Sequence, residues 1–404
     1  MKSVIRFILK AIGFLLLLLL LAIALFAAFN WAVARNMVTS AGKPLAEISH
    51  LTAQIPVAGC DVRAIPVAKE APLPTETLAK MQAFSDKHRG LGLMVLVDGT
   101  IVHERYAKGI TATTRTQTLS MNKSVTGLMV GVAQADGTIP SIDAPLGSVI
   151  TEWQGDGRRA ITLRNLMSMA SGLHNYSMTA GDWSAIKQLL SDEIEDTVIA
   201  IDAVKAPGTE FRYKNADAQL VGAAMRRMIA KAHKGESYAS YLSRTLWCGV
   251  GNGPATLWSE SETGAPRFYA GLQASLPDWA RLGQLILDQG KVADKQVVPA
   301  AWIAAMTAPS PTNPNYGFMI WRGSPWHKQR PYSPEVKLTA IHSAPYGAED
   351  VVFMDGYGGQ RVYIVPSAKL VIARMSEADE GFDDAPLVNL ALAGLKSRPK
   401  SRQQ

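Results

Sequence analysis

Two cysteines, Cys60 and Cys248, are all the thiols in the sequence, too few to build a thiolate zinc site. Seven histidines show no His-Glu-x-x-His or other close ligand spacing, so neither a metal nor any other cofactor is expected. The Gly-x-Ser-x-Gly elbow of one large hydrolase class is missing, as is the glycine spacing of a phosphate loop. No internal repeat is visible. Acidic residues are missing from both ends. Lys2, Arg6, Lys10 and Arg35 head the chain, and Lys396, Arg398, Lys400 and Arg402 close it. Setting those eight cations against the formal net charge of +7 leaves residues 36–395 at −1. A nearly neutral body argues against a nucleic-acid partner.

What the N-terminus does hold is a long apolar run. Residues 11–29 carry no charge and include seven consecutive leucines. At about 1.5 Å per residue such a helix spans roughly 28 Å, close to the hydrocarbon thickness of a bilayer. Cations precede it and Trp31 follows it. The expectation is an inner-membrane, single-pass anchor over 1–35 with the rest of the chain in the periplasm. A cleaved signal peptide is the rival, because Ala32-Val33-Ala34 resembles a processing site. Export would permit a Cys60–Cys248 disulfide. Two separate small buried residues are the other reading.

Residues 36–74 are spotted with proline and read as a linker, 75–395 as the folded body and 396–404 as a basic tail. A helix is expected over 76–88, with Leu78, Met81 and Phe84 on one face. A hairpin is expected over 91–106 about Asp98-Gly99. From about 114 to 343 the pattern is mainly helical: 121–134, 163–169, 182–190, 216–232, 238–246, 276–288 and 300–306. Strand character returns at 350–354, 360–365 and 370–375, and a closing helix at 384–396. Strands at both ends of a helical insert predict an α+β fold with an antiparallel sheet of chain-distant strands flanked by helices.

Serine three residues before lysine occurs four times, at Ser40/Lys43, Ser120/Lys123, Ser184/Lys187 and Ser397/Lys400. Only Ser120 opens a long apolar helix. Positions i and i+3 share a helix face, and burial beside that run would lower the lysine pKa so that an amine can take the serine proton. Ser120 is expected to cap the helix, whose N-terminus favours a developing oxyanion. Tyr213-Lys214-Asn215 precedes another helix. Tyr213, with a cation nearby to depress its pKa, could pass a proton to a leaving group, and Asn215 could hold Lys123. Isolated, a Tyr-x-Asn is more often a packing tyrosine. Asp355-Gly356-Tyr357-Gly358-Gly359-Gln360 precedes a strand. Its glycines permit close backbone approach to a ligand, though a tight turn uses glycine equally.

Taken in order, these stretches resemble the serine β-lactamase and penicillin-binding superfamily, in its class C-like branch. That family uses Ser-x-x-Lys, a Tyr-x-Asn or Ser-x-Asn element, and Lys-Thr-Gly or a substitute on a sheet-edge strand. Residues 165–173, 278–283 and 356–366 also resemble its flanks. The resemblance implies a β-lactamase/transpeptidase-like fold with Ser120, Lys123 and Tyr213 catalytic. It implies the N–H groups of Ser120 and Gln360 as oxyanion donors, and Asn215, Tyr357, Gly358, Gly359, Asn175 and Tyr176 (with His174) at the substrate. Tyr357-Gly358-Gly359 lacks the cation of Lys-Thr-Gly. It is similar to esterases and 6-aminohexanoate-dimer hydrolases of the branch, so a small ester or linear amide is the expected substrate. A cell-wall peptidase or β-lactamase, and a catalytically silent binding protein, are the alternatives.

Overall fold

In the computed structural model, residues 2–43, 52–176, 182–334 and 336–397 are described. Six strands form the main sheet: β1 (Gly90–Val97), β2 (Thr100–Tyr106), β3 (Trp321–Arg322), β4 (Val352–Gly356), β5 (Gln360–Val365) and β6 (Leu370–Ser376). Their order is β2-β1-β6-β5-β4-β3, every neighbour antiparallel. The first hairpin therefore docks on the last strand of the chain. Residues 92–97 are all buried, as are β4, β5 and β6 throughout, so the sheet is covered on both faces. The Leu276–Leu287 helix packs on β1, β5 and β6. The Thr75–Lys87 helix packs on β1 and against Ala385–Lys396.

The insert between β2 and β3 is mainly helical, around a helix at Asn122–Ala135 whose residues 122–133 are all buried. Apolar character on every side suits a central helix. Gly131 lets Trp302 lie flat against it: a Cβ there would meet the indole at 2.2 Å. The indole donates to the Gly127 carbonyl at 3.0 Å.

Three features depart from the pattern read in sequence. Gln54–Val57, Ala255–Trp258, Leu272–Ala274 and Thr116–Gln117 form a second, four-stranded sheet. Its strands have two to four residues, too few for a period to register. Gln329–Ser333 and Val336–Ile341 form an outlying hairpin, hidden in sequence by Pro331 and Pro334. The stretch expected as a linker begins as the Trp31–Ser40 helix and contributes the first strand of the small sheet.

Cys60 and Cys248 are joined by a disulfide, their Cα atoms 5.1 Å apart. It closes a loop of 188 residues and ties residues 58–63 to residues 243–251, in the interior of the helical insert. Ser243 Oγ donates to Ala58 O at 2.7 Å and Arg63 N to Gly251 O at 2.9 Å beside it.

The Lys2–Phe29 helix is long and apolar enough to cross a membrane. After Asn30 the chain re-enters helix over Trp31–Ser40, which docks on the body. Val33 and Asn36 are buried there. Asn36 Nδ2 donates to Leu190 O at 2.7 Å, and Arg35 pairs with Asp192 at 3.2 Å.

Candidate active site

Ser120 lies in a 3-10 turn, Leu119–Met121, just ahead of the central helix. Leu119 has φ +53, a left-handed conformation costing a leucine roughly 1–2 kcal/mol. The turn swings Ser120 to the mouth of the helix instead of making it the cap. No side chain caps this helix, contrary to expectation, because the serine hydroxyl is engaged elsewhere. Lys123 Nζ donates to Ser120 Oγ at 2.8 Å, to Asn215 Oδ1 at 2.9 Å and to Tyr269 O at 3.1 Å.

Lys123 is 1% exposed, whereas Ser120 is half-buried and Asn215 opens to solvent. The pair thus turns its hydroxyl side toward solvent and keeps its nitrogen sealed. Burial lowers the Lys123 pKa to about 7, against the pull of Asp355, whose charge favours the ammonium. A substantial share of the side chain is then free amine at neutral pH.

Tyr213 arrives from the strand-like approach to the Asn215–Ala232 helix. Its ring lies 4.8 Å from Lys123 Nζ, and its hydroxyl is near enough to Ser120 for the serine to lower its pKa. The ring is braced by Tyr332 at 5.3 Å, Trp321 at 5.5 Å and Tyr316 at 6.0 Å. Tyr213 N donates to Tyr332 O at 3.1 Å. The expected depression of its pKa is not found. Burial, then the negative charge of Asp355, raises it well above the ordinary phenol value, and Ser120 and Arg330 only partly offset this. Tyr213 is therefore a neutral proton donor near pH 7.

The Tyr357-Gly358-Gly359 stretch is not an edge strand but the turn of the β4–β5 hairpin, with positive φ at both glycines. Tyr357 points to Glu380 and hydrogen-bonds it. Gln360 is also placed differently from expectation. Its side chain bonds the backbone of Ser376 at both ends and reaches Gln117 O at 3.5 Å, three residues before Ser120. Its N–H faces into the hairpin. Gly323 N donates to Val351 O and Phe353 pairs with Trp321, so residues 351, 353 and 355 turn their backbone groups to the β3 side by alternation. Residues 352, 354 and 356 face β5, where Gly356 pairs with Gln360. β3 ends before it reaches Asp355. Alternation turns the Asp355 N–H away from β5, and Gly356 beside it lies against Thr118 O.

Asn175 is buried, 3.0 Å from Ser333 Oγ and 3.5 Å from Tyr213 O. Tyr176 stands edge-on to His174 at 4.4 Å. Sequence reasoning missed Tyr269, Tyr332 and Asp355, which converge on Lys123 and Tyr213. It also missed the buried charge cluster behind them. Asp355 is held by Arg330 at 2.9 Å, Arg361 at 2.5 Å and Tyr332 Oη at 2.9 Å, and Asp384 closes the cluster on both arginines. No short motif announces these residues.

A family model described as Beta-lactamase matches residues 76–395. The chain belongs to the beta-lactamase family. Within that family, a 6-aminohexanoate-dimer hydrolase of Paenarthrobacter ureafaciens is 23% identical over 230 residues. That match covers 53% of this chain and 56% of the relative, so it spans little more than half of either. Among solved structures, a candidate 6-aminohexanoate-dimer hydrolase from Bacillus anthracis superposes with TM-score 0.67 at 19% identity, covering 87% of this chain and 91% of that one. A class C beta-lactamase superposes with TM-score 0.58 at 15% identity, covering 83% and 100%. The likenesses to solved structures show the fold, which is the β-lactamase/transpeptidase-like α+β fold expected. The family is one of serine hydrolases. Lys-Thr-Gly has no counterpart at this edge: residues 351–356 carry no cation.

Proposed function

We propose that the protein is a membrane-anchored periplasmic serine hydrolase that cleaves an ester or small linear amide through an acyl-enzyme. The observation that carries this reading is the Lys123 nitrogen, 2.8 Å from Ser120 Oγ and shifted to about pKa 7. The amine of Lys123 takes the Oγ proton as oxygen attacks the acyl carbonyl. The N–H groups of Ser120 and Asp355 receive the oxyanion. Tyr213 gives its phenolic proton to the departing alcohol or amine and takes back the proton held by the Lys123 ammonium. Water then attacks the acyl carbonyl as the Lys123 amine accepts its proton, which passes to Ser120 Oγ as the acyl–oxygen bond breaks and the acid leaves. Asn215 fixes the lysine. Asn175, by holding Tyr213 O, keeps the mouth of the cleft in register, and Tyr176 walls it.

The cation-free edge favours a neutral acyl group over a carboxylate-bearing β-lactam. Retention of the anchor is supported by Ala32-Val33-Ala34 lying in a packed helix with Val33 3% exposed, since processing needs an accessible, extended segment. The disulfide favours an oxidising compartment. The test is turnover by the purified full chain of short acyl esters, linear amides and nitrocefin, with Ser120→Ala as control. Ester or amide turnover abolished by Ser120→Ala supports the reading, and turnover retained in that variant overturns it. Nitrocefin as the preferred substrate would move the function to the β-lactam side of the family.

A further inference from the structure

Between Tyr213 and Asn215 stands a lysine that the proposed reaction does not use. Lys214 takes the N-cap position of the Asn215–Ala232 helix without capping it. Lysine suits that position poorly: it offers no acceptor to the free N–H groups, and its charge meets the positive end of the helix dipole. Its backbone is extended, so successive side chains point to opposite sides. Tyr213 and Asn215 reach Lys123. Lys214 turns the other way, into the body, where it is buried.

There Lys214 Nζ donates to Leu173 O at 2.8 Å and to Ser171 Oγ at 3.1 Å, and lies 3.8 Å from Asp217 Oδ1. Ser171 Oγ donates to the same Asp217 oxygen at 2.7 Å and accepts from Leu173 N at 3.2 Å. The 171–173 turn is itself held, because Gly172 O accepts from Val204 N at 2.9 Å and from Lys205 N at 3.0 Å. On the other side of Tyr213, Arg212 N donates to Met169 O at 2.8 Å. Tyr213 thus sits between two attachments to one wall, residues 169–173. The first is a backbone bond that any residue but proline makes. The second needs the lysine. Burial lowers the Lys214 pKa, and the Asp217 charge raises it. Burial pushes Asp217 up to about 6, partly offset by Lys214 and Ser171, so it is a carboxylate at pH 8.

A buried ion pair adds little net stability, and its best-attested use is to fix register. Here the register is that of the phenol. Asn215 already belongs to the helix, whereas Tyr213 lies outside it and depends on its neighbours for its place. We infer that Lys214, with Asp217 behind it, is a positioning residue for the proton donor Tyr213, and that the substrate is one whose leaving group must be protonated: an alkyl ester or alkyl amide. This rests on the serine-hydrolase reading and narrows its substrate class. An activated leaving group departs as an anion and gains little from a fixed donor.

The experiment uses the full chain at pH 8 and two substrates, 4-nitrophenyl acetate and butyl acetate. The variant carries Lys214→Met and Asp217→Asn together, which leaves no unpaired charge in the core and keeps an acceptor for Ser171. The expected result is a loss of roughly tenfold or more in kcat/KM on butyl acetate and of at most about twofold on 4-nitrophenyl acetate. Added to Tyr213→Phe, the same pair of changes should cost nothing further on butyl acetate, since no donor is left to place. Should the paired variant not fold, Asp217→Asn alone decides by the same ratio of the two rates. A parental ratio, an equal fall on both esters, or a parent that turns over only the 4-nitrophenyl ester overturns the inference and leaves the hydrolase standing. Failure of a fluorophosphonate to label Ser120 in the parent removes the hydrolase and the inference together.

Discussion

A methyl group at Gly356 would meet the carbonyl oxygen of Thr118 at 2.2 Å. The edge of β4 and the turn that presents Ser120 are in direct backbone contact, and the proposed oxyanion position is where they meet. Because the obstruction is backbone, no rotamer relieves it. Gly356→Ala should push the 118–120 turn away, lowering stability by roughly 1–3 kcal/mol. A displacement of about 1 Å should cost ester turnover roughly 10²-fold. Thermal melting and kcat on the same preparation check both.

The lysine sets the pH dependence. Acylation needs the amine, and the folded-state pKa is about 7. kcat/KM for a neutral ester should therefore be low in acid, rise through about pH 7 and level off above it. Lys123→Met should lose roughly 10²–10⁴ in rate while keeping the fold. In the unfolded chain this lysine holds its proton to about pH 10.4. Between the two values the unfolded state binds more protons, so parent stability should rise with pH relative to Lys123→Met. Denaturant titration at two pH values reads the sign.

Tyr213→Phe removes the proton donor but keeps the ring packed on Tyr332 and Trp321. The melting temperature should hardly move, and turnover should fall roughly 10²–10⁴-fold. The fall should be smaller for an ester with a good leaving group, such as a 4-nitrophenyl ester, than for an alkyl amide, which needs its nitrogen protonated. An equal fall on both would assign Tyr213 a role before leaving-group departure.

The Cys60–Cys248 bond closes 188 residues. Cys60→Ser with Cys248→Ser should lower stability by roughly 2–5 kcal/mol with little effect on the cleft, because the bond ties the small sheet and not the nucleophile turn. Urea unfolding with and without reductant checks it.

How far the sequence revealed this molecule depended on the length of each signal. The central helix, the β1–β2 hairpin and the late strands carry long one-sided or continuous apolar patterns, and each formed within a few residues of expectation. The Ser120/Lys123 pair also came together, because a three-residue spacing across a turn running into a helix is local geometry; Asn215, the first residue of the next helix, meets Lys123 only through the fold. Tyr332 and Asp355 were invisible, since nothing nearby marks a residue whose role is to brace another from across the fold. The glycine-rich 356–359 stretch was ambiguous in principle: the same residues serve a tight turn and a ligand cradle. Only strand register shows that Gln360 turns inward and Asp355 faces the open edge. The phenol was misjudged for a related reason. Its pKa depends on burial and on Asp355, both of which exist only after folding.

The most direct test of the account is the site of covalent labelling. The full chain is treated at pH 8 with a fluorophosphonate, digested and mapped by mass spectrometry, beside Ser120→Ala and Lys123→Met. A single adduct on Ser120, absent from the first variant and strongly slowed in the second, is the predicted result. Equal labelling in Ser120→Ala, or an adduct on another serine, would contradict it.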